Sequence, residues 1–301
     1  MDALGREIIE KTAWLYVKVW ETRLCFIDYW SFAHFWSGFV VFTILLCRGV
    51  RRRFLVCATL LLLYELIELA FIYGAFHVFR PESLADQVTD IVVGIVGAWC
   101  AGKWAAILVG SRPSRETGKI PWHEASLTAG FVSVTVAFLW VGFYGYRYNT
   151  PALNSPGLNW WAFTLWSAAH FTVIFIFVRR NTGSRGVLQG GATAWIIHLA
   201  GLFCIEYFGF HVLGIREIGR AYRRPLIADI LHGSLITFLY YTTAPLMTIL
   251  LFDRFERLFR KAAEVAADSQ SISRQPDVPV IDTLPRAGGR PIGRTAAHAG
   301  E

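Results

Sequence analysis

Residues 64–97, YELIELAFIYGAFHVFRPESLADQVTDIVVGIVG, decide the fold of this chain. Two apolar runs flank a short polar turn. Glu65 and Glu68 lie in the first run, and Asp86 and Asp90 open the second. A charged side chain at the centre of a helix in lipid costs about 2.5–3.5 kcal/mol to insert. A chain keeps several of them only where they pair, line a cavity or take part in chemistry. The stretch therefore predicts a membrane hairpin that carries a polar site.

The rest of the chain is apolar enough to lie in the same membrane. Of its 301 residues 54% are hydrophobic, whereas soluble domains average about 45–50% even with glycine counted. Long apolar runs cover residues 32–47, 54–77, 88–110, 125–145, 159–178, 187–213 and 227–252. Continuous runs of this length are typical of helices and not of alternating barrel strands. We predict an all-α, polytopic transmembrane helical bundle of about seven spanning helices.

Composition divides the chain into five parts. Residues 1–28 mix apolar and charged side chains and predict an amphipathic helix in the membrane interface, with a poor spanning helix as the alternative. Two three-helix units follow at residues 29–110 and 159–261, joined by a linker helix and loop at 111–158. Residues 262–301 are rich in Ser, Gln, Pro, Gly and Ala and predict a disordered cytoplasmic tail.

The two three-helix units share short motifs, which predicts an internal duplication. Three motifs recur in the same order, with offsets of 134 to 139 residues. The pairs are Trp30–Phe35 with Trp166–Phe171, Phe76–Val78 with Phe210–Val212, and Asp90–Gly94 with Asp229–Gly233. Four helices, three of the first unit and the linker helix, precede the second unit. Both units therefore begin on the same side of the membrane and have the same orientation. Such a parallel repeat is typical of a site on a pseudo-twofold axis along the membrane normal.

Ionisable residues from both units converge at one depth, in the predicted outer half of the membrane. The predicted catalytic set is His34, Glu68, Asp90, His170, Glu206 and Asp229. Three kinds of chemistry fit: a divalent metal or metal pair, general acid–base catalysis, or a proton relay. For the first, the predicted metal ligands are His34, Asp90, His170 and Asp229. The alternative for the histidines is a role in capping helices at the interface. Gly94 and Gly97 predict a close helix approach beside Asp90.

Arginines are the predicted contacts for an anionic substrate. The predicted substrate-binding residues are Arg80, Arg216, Arg220, Arg223 and Arg224. Guanidinium groups bind phosphate and diphosphate headgroups through paired hydrogen bonds. The alternative is unselective contact with anionic lipid.

Basic loops set the predicted orientation and location. Positive residues follow the first, third, fifth and seventh runs, which places those loops and the C-terminal tail in the cytoplasm. The opposing observations are the arginine-rich loop before the seventh run and the basic N-terminal segment. We predict a multi-pass protein of the inner (plasma) membrane with membrane lipids as partners. No basic stripe interleaved with aromatics lies outside the membrane flanks, so nucleic acid is not a predicted partner.

The turn and its neighbours resemble a known family. Helices 1–3 resemble the VanZ-like membrane proteins, in which a His, a Glu and an R-x-x-S-x-x-D stretch lead into a glycine-containing helix. The matching residues are His34, Glu68, Arg80, Ser83, Asp86 and Gly97. The family has Asn where this chain has Asp90. The resemblance covers about a quarter of the chain and implies a small helical bundle in an envelope or lipid-glycan context.

Three hypotheses for function remain open on sequence alone. The leading one is an enzyme acting on an amphipathic lipid or lipid-linked envelope substrate through the His/carboxylate centre. A proton- or ion-coupled transporter could use the same carboxylates. The third is a non-catalytic subunit of a membrane complex, in which the polar cluster serves only helix packing. A divalent metal is the one cofactor that the residue types suggest.

Overall fold

A computed structural model describes residues 10–22, 25–70, 83–110, 122–180, 186–219 and 235–273. Seven helices account for most of them. They are α1 (Tyr29–Cys47), α2 (Arg53–Glu68), α3 (Leu84–Gly110), α4 (Trp122–Tyr144), α5 (Trp160–Arg180), α6 (Gly186–Tyr207) and α7 (Leu235–Ser273). A π-helical turn, Phe208–Val212, extends α6, and short 3-10 helices lie at Ala13–Tyr16 and Pro151–Leu153.

The prediction of an all-α polytopic bundle is confirmed. Each of the seven apolar runs overlaps one helix, and six helices are long and apolar enough within the described residues to cross a membrane. The exception is α2, which has 16 residues up to Glu68. Its apolar run continues beyond residue 70, outside the described residues.

Part of the N-terminal segment differs from the predicted interfacial helix, because its described residues after Val17 form strands. Strands β1 (Lys18–Glu21) and β2 (Phe26–Asp28) form an antiparallel hairpin instead. Ring contacts attach the 3-10 helix that precedes the hairpin: Trp14 packs edge-on against Phe138 of α4, and Tyr16 stacks on Trp30 of α1. Packing against the bundle thus overrides the amphipathic pattern that favoured a helix.

Two groups of helices are joined by α7. Helix α3 packs against α1 and α2, while α5 packs between α4 and α6. The long α7 crosses both groups and contacts α1, α3, α4, α5 and α6. The central aromatic cluster contains Phe39, Phe131 and Phe259, from α1, α4 and α7. The duplication of two three-helix units stays a prediction.

Helix α7 also moves the predicted boundary of the C-terminal tail. The tail was expected from residue 262, but α7 continues to Ser273. Ala262 is 2% exposed and packs with Leu46 and Ala105, so this turn belongs to the bundle. Small residues at this position let α7 approach α1 and α3 closely. Residues 274–301 lie outside the described structure.

One end of the bundle carries the polar loops, and we call it the site end. Helices α1, α3, α5 and α7 begin there, and α2, α4 and α6 end there. The connector after α4 pairs with the segment after α6 through a bridge between Tyr148 and Glu217. Asn149 donates its side-chain amide to the carbonyl of Gly214 at 2.9 Å and accepts from the backbone N–H of Arg216 at 2.8 Å. These bonds fix the loops around the helix ends.

Candidate functional site

The start of α1 places His34. Asp28 is its N-cap, and its carboxylate accepts from the backbone N–H of Ser31 at 3.0 Å. This capping box satisfies helix donors that would otherwise lack partners. Burial raises the pKa of Asp28, while the hydrogen bonds from Ser31 oppose that change. The cap fixes the first turn of α1, and His34 follows one turn after Ser31.

Glycines place α1 directly against α3. A Cβ on Gly38 would overlap the backbone carbonyl of Gly94, and one on Gly97 would overlap the carbonyl of Phe35. The two backbones therefore touch, which only glycine permits at these positions. This crossing is within one or two turns of His34 and Asp90 and holds both side chains on facing surfaces. The predicted close approach beside Asp90 is confirmed.

Three buried side chains from three helices converge at this crossing, and we call them the His34 cluster: His34, Glu65 and Asp90. Glu65 Oε1 lies 3.2 Å from His34 Nδ1, and Asp90 Oδ2 lies 3.5 Å from His34 Nε2. Their exposed fractions are 3% for His34, 6% for Glu65 and 1% for Asp90. One ligand atom from each lies within 4.8 Å of the others, close enough for the group to hold a metal ion.

More carboxylates surround the cluster without a buried cation among the described residues. Asp28, Glu68 and Asp86 are also buried at the site end. Ser83 caps α3 by accepting from the backbone N–H of Asp86 at 3.2 Å. In the described ranges every lysine and arginine is at least partly exposed. A buried carboxylate in lipid is costly unless it is protonated or paired with a cation.

Ring chemistry limits what His34 can do for its two neighbours. A neutral imidazole carries one N–H donor, yet both ring nitrogens face a carboxylate. Asp90 Oδ1 has no hydrogen-bond partner in the part of the chain that the structure describes. The arrangement can therefore pass a proton between two carboxylates, or hold a cation on one side of the ring and a hydrogen bond on the other.

The second predicted histidine has a different environment. His170 Nε2 lies 2.8 Å from the Tyr240 hydroxyl, and Nδ1 lies 3.0 Å from Thr248 Oγ1. Both of its ring nitrogens are thus engaged by hydroxyl groups of α7, and His170 is fully buried. His198 of α6 stacks on it, with 6.4 Å between ring centroids. The structure does not place His170 in the His34 cluster, and its predicted metal role stays a prediction.

The other predicted site residues are not members of the His34 cluster or lie outside the described structure. Glu206 accepts a hydrogen bond from the Tyr241 hydroxyl, and Glu68 is buried one turn beyond Glu65 on α2. Arg216 is exposed and stacks its guanidinium over Phe210 at 4.5 Å. The predicted residues outside the described ranges are Arg80, Arg220, Arg223, Arg224 and Asp229.

Four buried carboxylates of the described residues were missing from the predicted catalytic set: Asp28, Glu65, Asp86 and Glu256. Glu65 contacts His34, where Glu68 was expected. The two glutamates are three residues apart and share one helix face, so the sequence alone does not show which of them faces His34. Glu256 is 5% exposed near the opposite end of the bundle, where it accepts from Thr128 at 2.6 Å and from Arg260 at 2.9 Å. Glu256 lies among the arginines that follow the seventh apolar run, so the sequence did not indicate a buried site there.

Comparisons with known proteins assign no family and no function to this chain. No family model matches the chain, and neither a curated protein nor a solved structure matches it. The resemblance to VanZ-like proteins therefore stays a prediction, and the argument for function depends on the geometry of the site.

Proposed function

We propose that this chain is an integral membrane enzyme that acts on an amphipathic lipid or lipid-linked envelope substrate, with the His34 cluster as its reaction centre. The observation that carries the proposal is a buried imidazole held between two carboxylates from different helices. A His–carboxylate pair is a common source of acid–base or metal-assisted catalysis. His34 and Asp90 lie on helices long and apolar enough to cross a membrane, and Glu65 lies on the shorter helix α2.

The depth of the cluster favours an enzyme over a transporter. His34 is the sixth residue of α1, so it lies about 8 Å along the helix from its start. Transporter sites are typical of the bilayer midplane, between two halves of the fold. A site one or two turns below the surface is instead at the level where a lipid headgroup meets its chains. Such a position suits chemistry on the polar part of an amphipathic molecule.

Arginine residues assigned to the site end would favour binding of an anionic lipid headgroup. Arg216 lies on the exposed loop after α6, on the same end of the bundle as the His34 cluster. The predicted contacts Arg220, Arg223 and Arg224 follow it directly in the sequence. An arginine-rich loop there would attract a phosphate or diphosphate group. The VanZ-like resemblance suggests the same envelope-lipid context.

A second candidate, proton-coupled transport, is supported by buried polar residues along α7. Tyr241, Thr248 and Glu256 are buried at intervals of seven and eight residues, from the site end towards the opposite end. His170 contacts Thr248, and Thr128 contacts Glu256. The last interval spans about 12 Å, and buried Phe252 lies within it. The apolar interval interrupts the row of polar residues that a proton would follow, which favours the enzyme over the transporter.

Lipid analysis tests the proposal. Total lipids are compared by mass spectrometry in cells that lack the chain and in cells that carry the wild type, His34→Ala or Glu256→Gln. We expect one lipid species to accumulate without the chain and with His34→Ala, and to disappear with the wild type and Glu256→Gln. Identical lipids in all four kinds of cell, together with proton uptake by proteoliposomes of the wild type, would contradict the enzyme proposal and support the transporter.

A further inference from the structure

We propose that the turn between α1 and α2, together with the neighbouring turns of α7, binds the headgroup of an anionic phospholipid that carries two phosphate groups. We call this surface the basic turn site. Its residues are Arg48, Arg51, Arg52, Arg254 and Lys261. The surface lies at the end of the bundle opposite the His34 cluster, so the proposal does not depend on the proposed function.

A helix C-cap fixes the turn between α1 and α2. The backbone N–H of Val50 donates to the carbonyl of Leu45 at 3.1 Å, and the backbone N–H of Gly49 donates to the carbonyl of Leu46 at 3.0 Å. Gly49 has a φ of 66°, so the turn is a Schellman motif with glycine in its left-handed position. The three arginines of the turn are all exposed. The motif therefore holds several guanidinium-bearing residues together on one short, ordered turn.

Helix α7 places a second set of basic residues beside this turn. The thiol of Cys47, the last residue of α1, donates to the carbonyl of Leu258 at 3.3 Å. Arg254 and Lys261 are exposed residues of α7 on either side of Leu258 in the sequence. They are seven residues apart and share one helix face. Two basic segments from different parts of the chain thus lie side by side.

Ion pairs within α7 leave the basic turn site positively charged. Asp253 pairs with Arg257 at 2.7 Å, and Glu256 pairs with Arg260 at 2.9 Å, so both carboxylates already have a partner. Among the described residues, none of the five residues of the basic turn site forms an ion pair. Glu264 is an exposed carboxylate on the next turn of α7 and offsets one charge. The surface keeps a net positive charge and attracts anions.

The depth of the surface favours a lipid over a soluble anion. Helix α1 has 19 residues, a length of about 28 Å that is close to the hydrocarbon thickness of a bilayer. The turn after α1 therefore lies at the level of the lipid phosphates. Ile44, Phe54 and Leu55, in the helical turns that flank it, are 44%, 46% and 61% exposed and offer apolar surface to acyl chains.

The two basic segments favour a headgroup with two phosphates. Guanidinium groups bind phosphate oxygens through paired hydrogen bonds. Basic clusters between membrane helices bind headgroups with more than one phosphate, such as that of cardiolipin. One phosphate can contact the turn between α1 and α2 while the second contacts α7. A lipid with a single phosphate can use only one of the two segments.

Lipid titration tests the proposal. The wild type is purified in a neutral detergent, cardiolipin is titrated into it, and bound lipid is counted by native mass spectrometry. We expect cardiolipin to bind more tightly than phosphatidylglycerol, which has one phosphate, and phosphatidylcholine to bind least. The double variant Arg51→Gln/Arg52→Gln should lose about 30-fold in affinity for cardiolipin, since each arginine near anionic lipid contributes about fivefold. Lys261→Gln should lose about fivefold.

The double variant Arg179→Gln/Arg180→Gln is the matched control. It removes two exposed arginines from the same end of the bundle, at the end of α5, which packs between α4 and α6. It should bind cardiolipin like the wild type. Equal losses in the two double variants would show unselective attraction by charge and would overturn the proposal.

Three other results also contradict the basic turn site. They are full cardiolipin binding by a folded Arg51→Gln/Arg52→Gln, equal binding of phosphatidylglycerol and cardiolipin, and displacement of cardiolipin by an equal concentration of pyrophosphate. The last result would assign the surface to a soluble anion. Melting temperatures without lipid should match the wild type, because the replaced residues are exposed. If the double variant did not fold, Lys261→Gln would decide, and unchanged cardiolipin binding there would reject the proposal.

Discussion

At the scale of single residues, two histidines in related sequence motifs have opposite surroundings. His34 lies between carboxylates, while His170 lies between the hydroxyl groups of Tyr240 and Thr248. Each also contacts a tryptophan four residues earlier, Trp30 or Trp166. The helices that pack against each histidine, and not its own motif, therefore determine its chemistry.

Tyr146 provides a prediction at this scale. Its buried hydroxyl accepts from the indole N–H groups of Trp140 at 2.9 Å and Trp166 at 3.1 Å. Burial raises the pKa of Tyr146, which keeps that hydroxyl protonated. Tyr146→Phe leaves two buried donors without an acceptor, each at a cost of about 1–3 kcal/mol. We expect a lower melting temperature by differential scanning fluorimetry in detergent.

The control for Tyr146→Phe is Tyr207→Phe, since Tyr207 is 51% exposed and its ring packs on His211. It should melt like the wild type. Equal melting temperatures for Tyr146→Phe and the wild type would show that the two indole hydrogen bonds do not contribute to stability.

The structure brings together His34 and Asp90, which the sequence singled out, with Glu65, which the sequence did not select. An ionisable residue in an apolar run is visible in the sequence because insertion makes it costly. Glu65 and Glu68 share a helix face, so the choice between them depends on the rotation of α2 against α1. That rotation is set by packing, which a single sequence does not reveal. Glu68 as a catalytic residue stays a prediction.

At the scale of elements, the α1–α3 crossing is the support of the site. Gly97→Ala places a methyl group against the backbone carbonyl of Phe35, which cannot move as a side chain would. Overpacking of this kind costs about 1–3 kcal/mol and sometimes more. We expect a lower melting temperature and a loss of lipid turnover, because α1 must move away from Asp90.

Gly130→Ala is the matched control for the crossing. A Cβ on Gly130 of α4 would meet no atom within 4 Å, and alanine is the better helix former. Its melting temperature should equal or exceed that of the wild type. If both alanine variants behaved alike, the close approach of α1 and α3 would not be needed for the site.

Helix α7 is the element that joins the two groups. Phe259 is 3% exposed and contacts rings of α1, α3 and α4. Phe259→Ala removes these contacts at a cost of about 3–5 kcal/mol. In melting experiments it should be strongly destabilised, while Leu250→Ala should change little because Leu250 is 65% exposed on the same helix. Comparable losses in the two variants would contradict the bridging role of α7.

Apolar length made the helices predictable, but it did not reveal the N-terminal hairpin. Runs of about 20 apolar residues have few structural solutions in a membrane. Residues 18–28 have no such constraint, and their hairpin packs against α1 and α3. One example is the backbone N–H of Phe26, which donates to Thr89 of α3 at 3.2 Å. Contacts between distant residues are not visible in a local pattern.

At the scale of the whole molecule, orientation decides which compartment the site end faces. The loop between α1 and α2 carries Arg48, Arg51 and Arg52 and is predicted to be cytoplasmic. In a cysteine-free variant, Asn154→Cys at the site end should react with a membrane-impermeant maleimide in intact cells. Arg51→Cys should react only after lysis. The reverse pattern would place the His34 cluster near the cytoplasm.

The central claim is that the His34 cluster converts a lipid. The most direct measurement incubates purified wild-type protein with the lipid extract of cells that lack the chain, and follows the products by mass spectrometry. The account predicts that one lipid species decreases and a product appears with the wild type and with Glu256→Gln, but not with Asp90→Asn. No product with any of the three, or equal conversion by Asp90→Asn, would contradict it.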